Sequence, residues 1–366
     1  MMYFKFSVCV FMIILTIYFL FFFNNKIEHF KYHKCDNIKV GTILNDVLKT
    51  NNINKTYNNK WDIYLPCGYN YVEKELTEIN PISNKQIIFG ISGCDSIVSK
   101  NKLWESLNKY YGRNTAKRIM PETWILNDKQ EMNLFIKQYD TKQMYILKKN
   151  VQRKEGLKLT KNLQEIMDGK LENYKVVQKY NTNLFLINNR KVNLRIYLLI
   201  VCQKGVVNAY LHKNGKCIYT NKEYNDNVFD FESNITSYHL DMEVYKKNPF
   251  SFKELSVFLK KKKKNPDLLF KRINHIIYLT ILSVKHNLCN LKNIYHNKTF
   301  QLFGLDVIFD TNMNPYLLEF NKGPDMIPRN NIDNKMKFKV EEDIFNILQI
   351  VNYNKKNQQN GFYKIY

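Results

Sequence analysis

Asp306, Glu319 and Asn321 are the residues whose types and spacing point most directly to chemistry. They stand in a stretch that runs Gly304, Leu305, Asp306, Val307, Ile308, Phe309, Asp310 and then, past Asn314 and Pro315, Leu317, Leu318, Glu319, Phe320, Asn321. Two strands joined by a tight turn put Asp306 on one strand, and period-two alternation puts Glu319 and Asn321 on one face of its neighbour. Carboxylates set among apolar residues are unfavourable unless a cation joins them. Mg²⁺ takes hard oxygen ligands and keeps positions for water and phosphate oxygens, so two carboxylates and an amide suit a Mg-nucleotide site.

Cations stand at strand positions upstream. Lys148 closes the apolar run 144–147, and Lys191 and Arg195, two alternation steps apart, share one face of the strand expected over 191–197. A lysine and an arginine aimed inward suit a polyphosphate, since arginine clamps phosphoryl and carboxyl groups in a bidentate manner. A salt-bridged sheet face is the other reading this strand allows. The whole chain is basic, with 56 Lys and Arg against 33 Asp and Glu giving +23 over 366 residues. That excess fits a nucleotide, an acidic protein tail, anionic lipid or nucleic acid, although a general abundance of Lys, Asn, Ile and Tyr also produces it. No nucleic-acid recognition motif is present, so no specific nucleic acid is expected.

These residues need strands and helices to hold them. Apolar runs bounded by turn signals predict strands over 86–91, 144–147, 175–178, 192–202, 206–211, 302–309 and 316–320. Helical spacing predicts helices over 101–111, 131–136, 159–167, 252–264, 267–289 and 340–351. Asn188-Asn189 and Asn214-Gly215 read as hairpin turns, which makes the mixture α+β with antiparallel hairpins. The lysine run 260–264 reads as a solvated helix end. Length and a 45% hydrophobic content allow two or three domains with a sizeable core.

Ahead of this body lies an 18-residue apolar run, 6–23, broken only by Ser7 and Thr16 and long enough for one membrane-crossing helix. Lys26, Lys31, Lys34 and Lys39 follow it, against Lys5 alone before it, and the positive-inside bias turns the body toward the cytosol. Three sequons, at Asn54, Asn234 and Asn297, offer a check, since a luminal body could carry glycans there. Seven cysteines without a C-x-x-C pair are read as reduced thiols. His29, His33 and Cys35 have no obvious fourth ligand, so zinc is not expected.

The order of short motifs along the body resembles a known family. The segments 119–123, 145–148 and 153–157 lead to Gln178, Lys179 and Tyr180; Lys191, Asn193, Arg195 and Tyr197 follow, then Asn234, Thr236, Ser237 and Tyr238, and last Gly304 and Asp306 with Glu319 and Asn321. In this order they are similar to the motifs of the tubulin tyrosine ligase-like family, over residues 85–350. The resemblance implies the ATP-grasp fold, in which two α+β lobes with antiparallel sheets hold ATP. With the apolar run it divides the chain into a membrane anchor at 1–24, a juxtamembrane linker at 25–60 and an N-terminal α/β lobe at 61–128, followed by a central lobe at 129–190, a catalytic lobe at 191–355 and a tail at 356–366.

Family members activate a carboxylate with ATP as an acylphosphate, which an amine then attacks to give an amide. The resemblance implies ATP and Mg²⁺, with Asp306, Glu319 and Asn321 on the metal and Lys148 on the phosphates. It places Gln178, Lys179 and Tyr180 around the adenine, Lys191 and Asn193 along the nucleotide, Arg195 at the γ-phosphate or acylphosphate, and Thr236 and Ser237 at nucleotide and substrate. The sequence departs from the pattern at Asn193 in place of Asp, Lys149 in place of Pro and Lys154 in place of Gly. The segment 215–224 lacks the family's arginine for the incoming amino acid, leaving Lys216 as the nearest cation, and a lysine expected after Tyr238 is replaced within 239–242. The reading that follows is a membrane-tethered ligase adding glutamate or tyrosine, as free amino acid, to tubulin or another acidic protein tail. A ligase for a non-tubulin peptide or small molecule, and a tubulin-binding pseudoenzyme at a membrane, are its alternatives.

Overall fold

Residues 31–33, 41–151, 156–225, 230–236, 241–350 and 359–366 are described by a computed structural model. The apolar run 6–23, His29, Cys35, Arg153, Lys154, Ser237 and Tyr238 lie outside the described residues. Among the described residues no helix is long and apolar enough to cross a membrane.

In chain order the body opens with β1 (Lys31–His33), α1 (Thr42–Thr50), β2 (Asn54–Lys55), β3 (Ile63–Tyr64), α2 (Val72–Glu78) and β4 (Ile87–Phe89). Three helices follow, α3 (Asp95–Val98), α4 (Lys100–Tyr111) and α5 (Arg113–Ile119), and then β5 (Thr123–Ile125), α6 (Lys129–Gln138), β6 (Tyr145–Lys148), β7 (Leu157–Thr160), α7 (Leu163–Asp168) and β8 (Val176–Lys179). The remainder is β9 (Val192–Gln203), β10 (Val206–His212), β11 (Lys216–Tyr219), α8 (Phe231–Asn234), α9 (Phe252–Lys261), α10 (Pro266–Val284), β12 (Lys298–Phe309), β13 (Pro315–Asn321), α11 (Asn331–Leu348) and β14 (Phe362–Lys364).

The strands make a ten-stranded sheet, ordered β14-β10-β9-β12-β4-β3-β1-β2 with β11 on β9 and β13 on β12, and a four-stranded sheet, β5-β8-β6-β7. β9, rich in Ile, Leu and Val, is buried on both faces, as a central strand must be. Leu194, Ile196, Leu198 and Ile200 pack with Leu103, Trp104, Ile273 and Ile277 of α4 and α10, while Tyr197, Leu199 and Val201 on the opposite face pack with Val340, Ile344 and Phe345 of α11. The large sheet is thus the middle of a helix-sheet-helix stack. The smaller sheet has its own core of Trp124, Phe135, Tyr145, Leu147 and Val177. Local chemistry starts the helices: Ser251 and Glu254 form a capping box on α9, and Asn265 caps α10 with Pro266 in its first turn.

Several expectations are corrected. β12, β4, β3, β1 and β2 run parallel to one another, so only part of the large sheet is antiparallel. Thr42–Thr50 and Asn54–Lys55, inside the stretch read as a linker, form a helix and a strand. Residues 159–160 belong to β7 rather than to a helix, because Leu159 sits opposite Ile146 of β6. Asn188 and Asn189 do take positive φ in a turn. Asn214-Gly215 makes no hairpin, since β10 and β11 both pair with β9 and follow one another along the same edge of it. The hairpin of that region turns instead at Lys204 and Gly205, both at positive φ. The reading of reduced thiols also fails: Cys202 and Cys289, 87 residues apart, form a disulfide, Cys67 is disulfide-bonded too, and Cys94 and Cys217 are free and buried. The sequence hides the first pair because the end of β9 and the loop after α10 meet only in the folded sheet.

Candidate active site

The register of the large sheet draws four charged residues into one line. Lys216 of β11 lies opposite Arg195 of β9, Arg195 opposite Asp306 of β12, and Asp306 opposite Glu319 of β13. Directly opposed residues share a face, so the line crosses four strands on one side of the sheet. A bulge makes this possible. The register shifts between Asp306 and Val307, which pair with Glu319 and Leu317. Leu317 therefore enters the core with Val307 while Glu319 and Asn321 turn to the other face with Asp306.

Ion pairs run along the line. Arg195 donates to Asp306 through Nε at 2.7 Å and Nη2 at 3.2 Å, and Lys100 of α4 reaches Glu319 at 3.4 Å. At the other end Lys216 meets Asp333 of α11 at 3.3 Å, and the wholly buried Lys337 meets the same carboxylate at 2.9 Å. Gly304 makes room for Arg195, since a Cβ there would stand 3.3 Å from Arg195 Cδ and 3.0 Å from Pro324. Burial alone would lower the pKa of Arg195, but Asp306 outweighs it and raises it. Burial raises that of Asp306 in spite of Arg195. Burial would raise Glu319 as well, yet Lys100, Lys148 and Arg195 together hold it below the usual carboxylate range.

Two further cations stand close to this line among the described residues. Lys148 on β6 and Lys191 at the head of β9 are buried, and neither makes an ion pair with a described carboxylate. Burial brings Lys148 down to about 8, and burial together with Lys148 brings Lys191 to about 7. Lys191 donates to Tyr180 Oη at 3.2 Å and to the Asn234 carbonyl at 3.0 Å, with the Tyr180 ring 4.5 Å away. Asn193 is buried with Oδ1 unpartnered, as is the Oγ1 of Thr220. Buried lysines without an ion-pair partner among the described residues, beside orphaned polar atoms, suit an anionic ligand that also offers hydrogen bonds.

The structure therefore brings together Lys148, Tyr180, Lys191, Asn193, Arg195, Asp306, Glu319 and Asn321, and sets Lys216 at the end of the charged line. Gln178 is buried but its amide is taken by Thr123 Oγ1 at 2.7 Å and the Pro121 carbonyl at 3.3 Å, so its side chain props the small sheet. Lys179 is exposed and Thr236 half-buried, two residues from Asn234; Ser237 is outside the described residues. Lys216 is not a free cation for a substrate, because Asp333 engages it; burial and Lys337 lower its pKa to about 8.

Sequence reasoning missed Lys100 and the Asp333–Lys337 pair. A signal existed for Lys100, which shares the buried face of α4 with Leu103, Trp104 and Leu107 at i+3, i+4 and i+7. A lysine on an apolar helix face needs an anion. The donor set fits Mg²⁺ and a nucleotide: two carboxylates and an amide for the metal, and Lys148, Lys191 and Arg195 for phosphates.

Comparison with known proteins agrees with this geometry. The chain is 26% identical over 249 residues to "Probable tubulin polyglutamylase ttll-9" of Caenorhabditis elegans, covering 63% of this chain and 58% of that protein. It is 24% identical over 281 residues to the tubulin monoglutamylase TTLL4 of Mus musculus, covering 71% of this chain and 23% of that one. With the tubulin polyglutamylase TTLL5 of Mus musculus it shares 24% identity over 278 residues, covering 70% of this chain and 20% of the relative. The relatives are thus matched over 58% of their length or less. The sequence model of the Tubulin-tyrosine ligase family matches residues 82–359, which spans the charged line, the four-stranded sheet and the large sheet from β4 to β13, and the chain belongs to that family.

Proposed function

We propose that the chain is an ATP-dependent carboxylate-amine ligase that attaches an amino acid to a protein tail. The observation that carries this reading is the line Lys216-Arg195-Asp306-Glu319 with Lys148 and Lys191 close to it, a preformed site for a metal-bound polyphosphate. The names of the relatives, tubulin polyglutamylases and monoglutamylases, support glutamate as the amino acid and a tubulin tail as the first acceptor to test. The basic balance of +23 supports an acidic acceptor, which such a surface steers inward.

When bound, ATP supplies the phosphoryl group that activates a carboxylate, and Mg²⁺ neutralises its phosphates. Asp306, Glu319 and Asn321 are the residues that would hold the metal. Asp306 orients the Arg195 guanidinium through two bonds and leaves Nη1 for an anion. Tyr180 and the Asn234 carbonyl hold the Lys191 ammonium in place, while the burial of Lys148, Lys191 and Asn193 keeps water from screening these charges.

The test is incorporation of labelled glutamate, tyrosine and other amino acids into tubulin with ATP. Glu319→Gln removes a charge without changing volume, and turnover should fall by about 10²- to 10³-fold while the circular dichroism spectrum stays that of the folded chain, the melting temperature falling only by what the lost Lys100 partner costs. Turnover near wild type would overturn the metal assignment. A second reading, the same chemistry on another acceptor, is favoured by one observation: Lys216 is committed to Asp333, so the amino-acid end of the site differs from the family pattern. ATP-dependent incorporation into another peptide or small molecule, with none into tubulin, would select it.

A further inference from the structure

Asn321 is the least anchored of the three expected metal ligands. Its Nδ2 reaches the Gly304 carbonyl at 3.4 Å and Glu319 Oε1 at 3.5 Å, distances at which hydrogen bonds are weak. Its direction must therefore come from the backbone. The next residue, Lys322, is held at two points. Its Nζ lies 2.6 Å from Asp95 Oδ1, and its carbonyl accepts a hydrogen bond from Gln301 Nε2 at 2.9 Å. Gln301 is fully buried and its Oε1 accepts from the Ile91 amide at 3.1 Å, so both holds lead to one segment, residues 91–95.

That segment is itself rigidly seated. Glu73 accepts hydrogen bonds from the Gly93 amide at 3.1 Å, the Cys94 thiol at 3.2 Å and the Asp95 amide at 3.4 Å. Gly93 has φ +79°, and a Cβ there would stand 1.8 Å from the Asn287 carbonyl oxygen, which no side chain could tolerate. The same segment leads through α3 to Lys100, the partner of Glu319. Asp95 is half-exposed, and a pair of that kind adds little to stability. Its value lies in direction.

We propose that Lys322, clamped by Asp95 and Gln301, is the positioning residue that sets Asn321, and through it the metal affinity of the site. This rests on the assignment of Asp306, Glu319 and Asn321 as metal ligands. Partners one step behind a metal ligand typically change metal affinity by about 10- to 100-fold when removed.

The experiment is equilibrium binding of a fluorescent ATP analogue to the full chain, in EDTA and across a Mg²⁺ titration. Lys322→Met and the isosteric Asp95→Asn should raise the half-saturating Mg²⁺ by about tenfold, with binding in EDTA unchanged and Lys322→Arg close to wild type. Asn321→Ala and Glu319→Gln serve as references. If both references shift the Mg²⁺ curve while Lys322→Met and Asp95→Asn superimpose on wild type, the clamp is overturned and the metal site stands. If neither reference shifts it, the metal assignment fails and the clamp with it. Should Lys322→Met unfold, Asp95→Asn decides alone.

Discussion

Lys191 carries a proton into a place where no described carboxylate pairs with it. Its pKa of about 7, and that of about 8 for Lys148, lie far below the usual lysine value because burial opposes the charge. The sign for the free protein follows: the unfolded chain holds these protons up to about pH 10 while the folded one releases them, so stability should rise between about pH 7 and 10. Binding has the opposite sign, because a polyphosphate favours the charged lysines. Metal-free affinity for ATP should fall as pH rises through 7 to 8, and Lys191→Arg should flatten that fall. A pH series of nucleotide binding in EDTA checks it, and a slope unchanged in Lys191→Arg would remove Lys191 from the pocket. At this scale much was legible. Asp306, Glu319, Lys148, Lys191 and Arg195 stood out as charges amid apolar runs, which is a one-dimensional signal. The partnership of Lys216 with Asp333 was not legible, because nothing local at either residue reports the other.

Among the elements, the pairing of α11, β10 and β14 offers a clean test. His212 of β10 and Asp343 of α11 are wholly buried, 3.1 Å apart, and Asp343 also accepts the Gly361 amide at 2.8 Å where the chain enters β14. Lys339 adds an ion pair to the same carboxylate at 2.8 Å. Removing one partner strands the others, so Asp343→Ala should destabilise the fold by about 3–5 kcal/mol, read from chemical denaturation. It should also release β14, seen as amide exchange in residues 362–364. A loss below about 1 kcal/mol would mean that the strand is held by its ladder alone. The long strands β9 and β12 were legible from composition, as were α9 and α10 from caps and periodicity. Of the short strands, β4, β6 and β8 were legible only as apolar runs, and β1 to β3, β5 and β11 were not, since two to four residues give no measurable period. The bulge that turns Glu319 away from Leu317 was equally hidden, because plain alternation puts both on one face.

For the whole molecule, the disulfides set the sharpest question. The Cys202–Cys289 bond closes a loop of 87 residues, and in the chain-entropy account a loop of that size is worth about 4–5 kcal/mol. Reduction should therefore lower the denaturation midpoint measurably, and Cys202→Ser should reproduce the loss. Disulfides also report on location, since glutathione keeps cytosolic pairs reduced. If the apolar run 6–23 is an anchor, its lysine bias is expected to turn the body toward the cytosol, whereas three of five described cysteines are disulfide-bonded. Maleimide trapping of the full chain in intact cells, with and without reductant, separates the two. The proposed function expects labelling without reductant, whereas resistance of Cys202 and Cys289 to labelling until reduced would put the body on the oxidising side of a membrane and overturn tubulin as its acceptor. Of the three sequons, Asn234 and Asn297 are buried and only Asn54 is exposed, so a glycan on such a body would fall at Asn54 and vanish in Asn54→Gln. Labelling without reductant gives the other orientation, and only there does the proposed ligase meet cytosolic tubulin. Its association with the acidic tail should then weaken as ionic strength rises past about 0.15 M, where the screening length falls to about 8 Å.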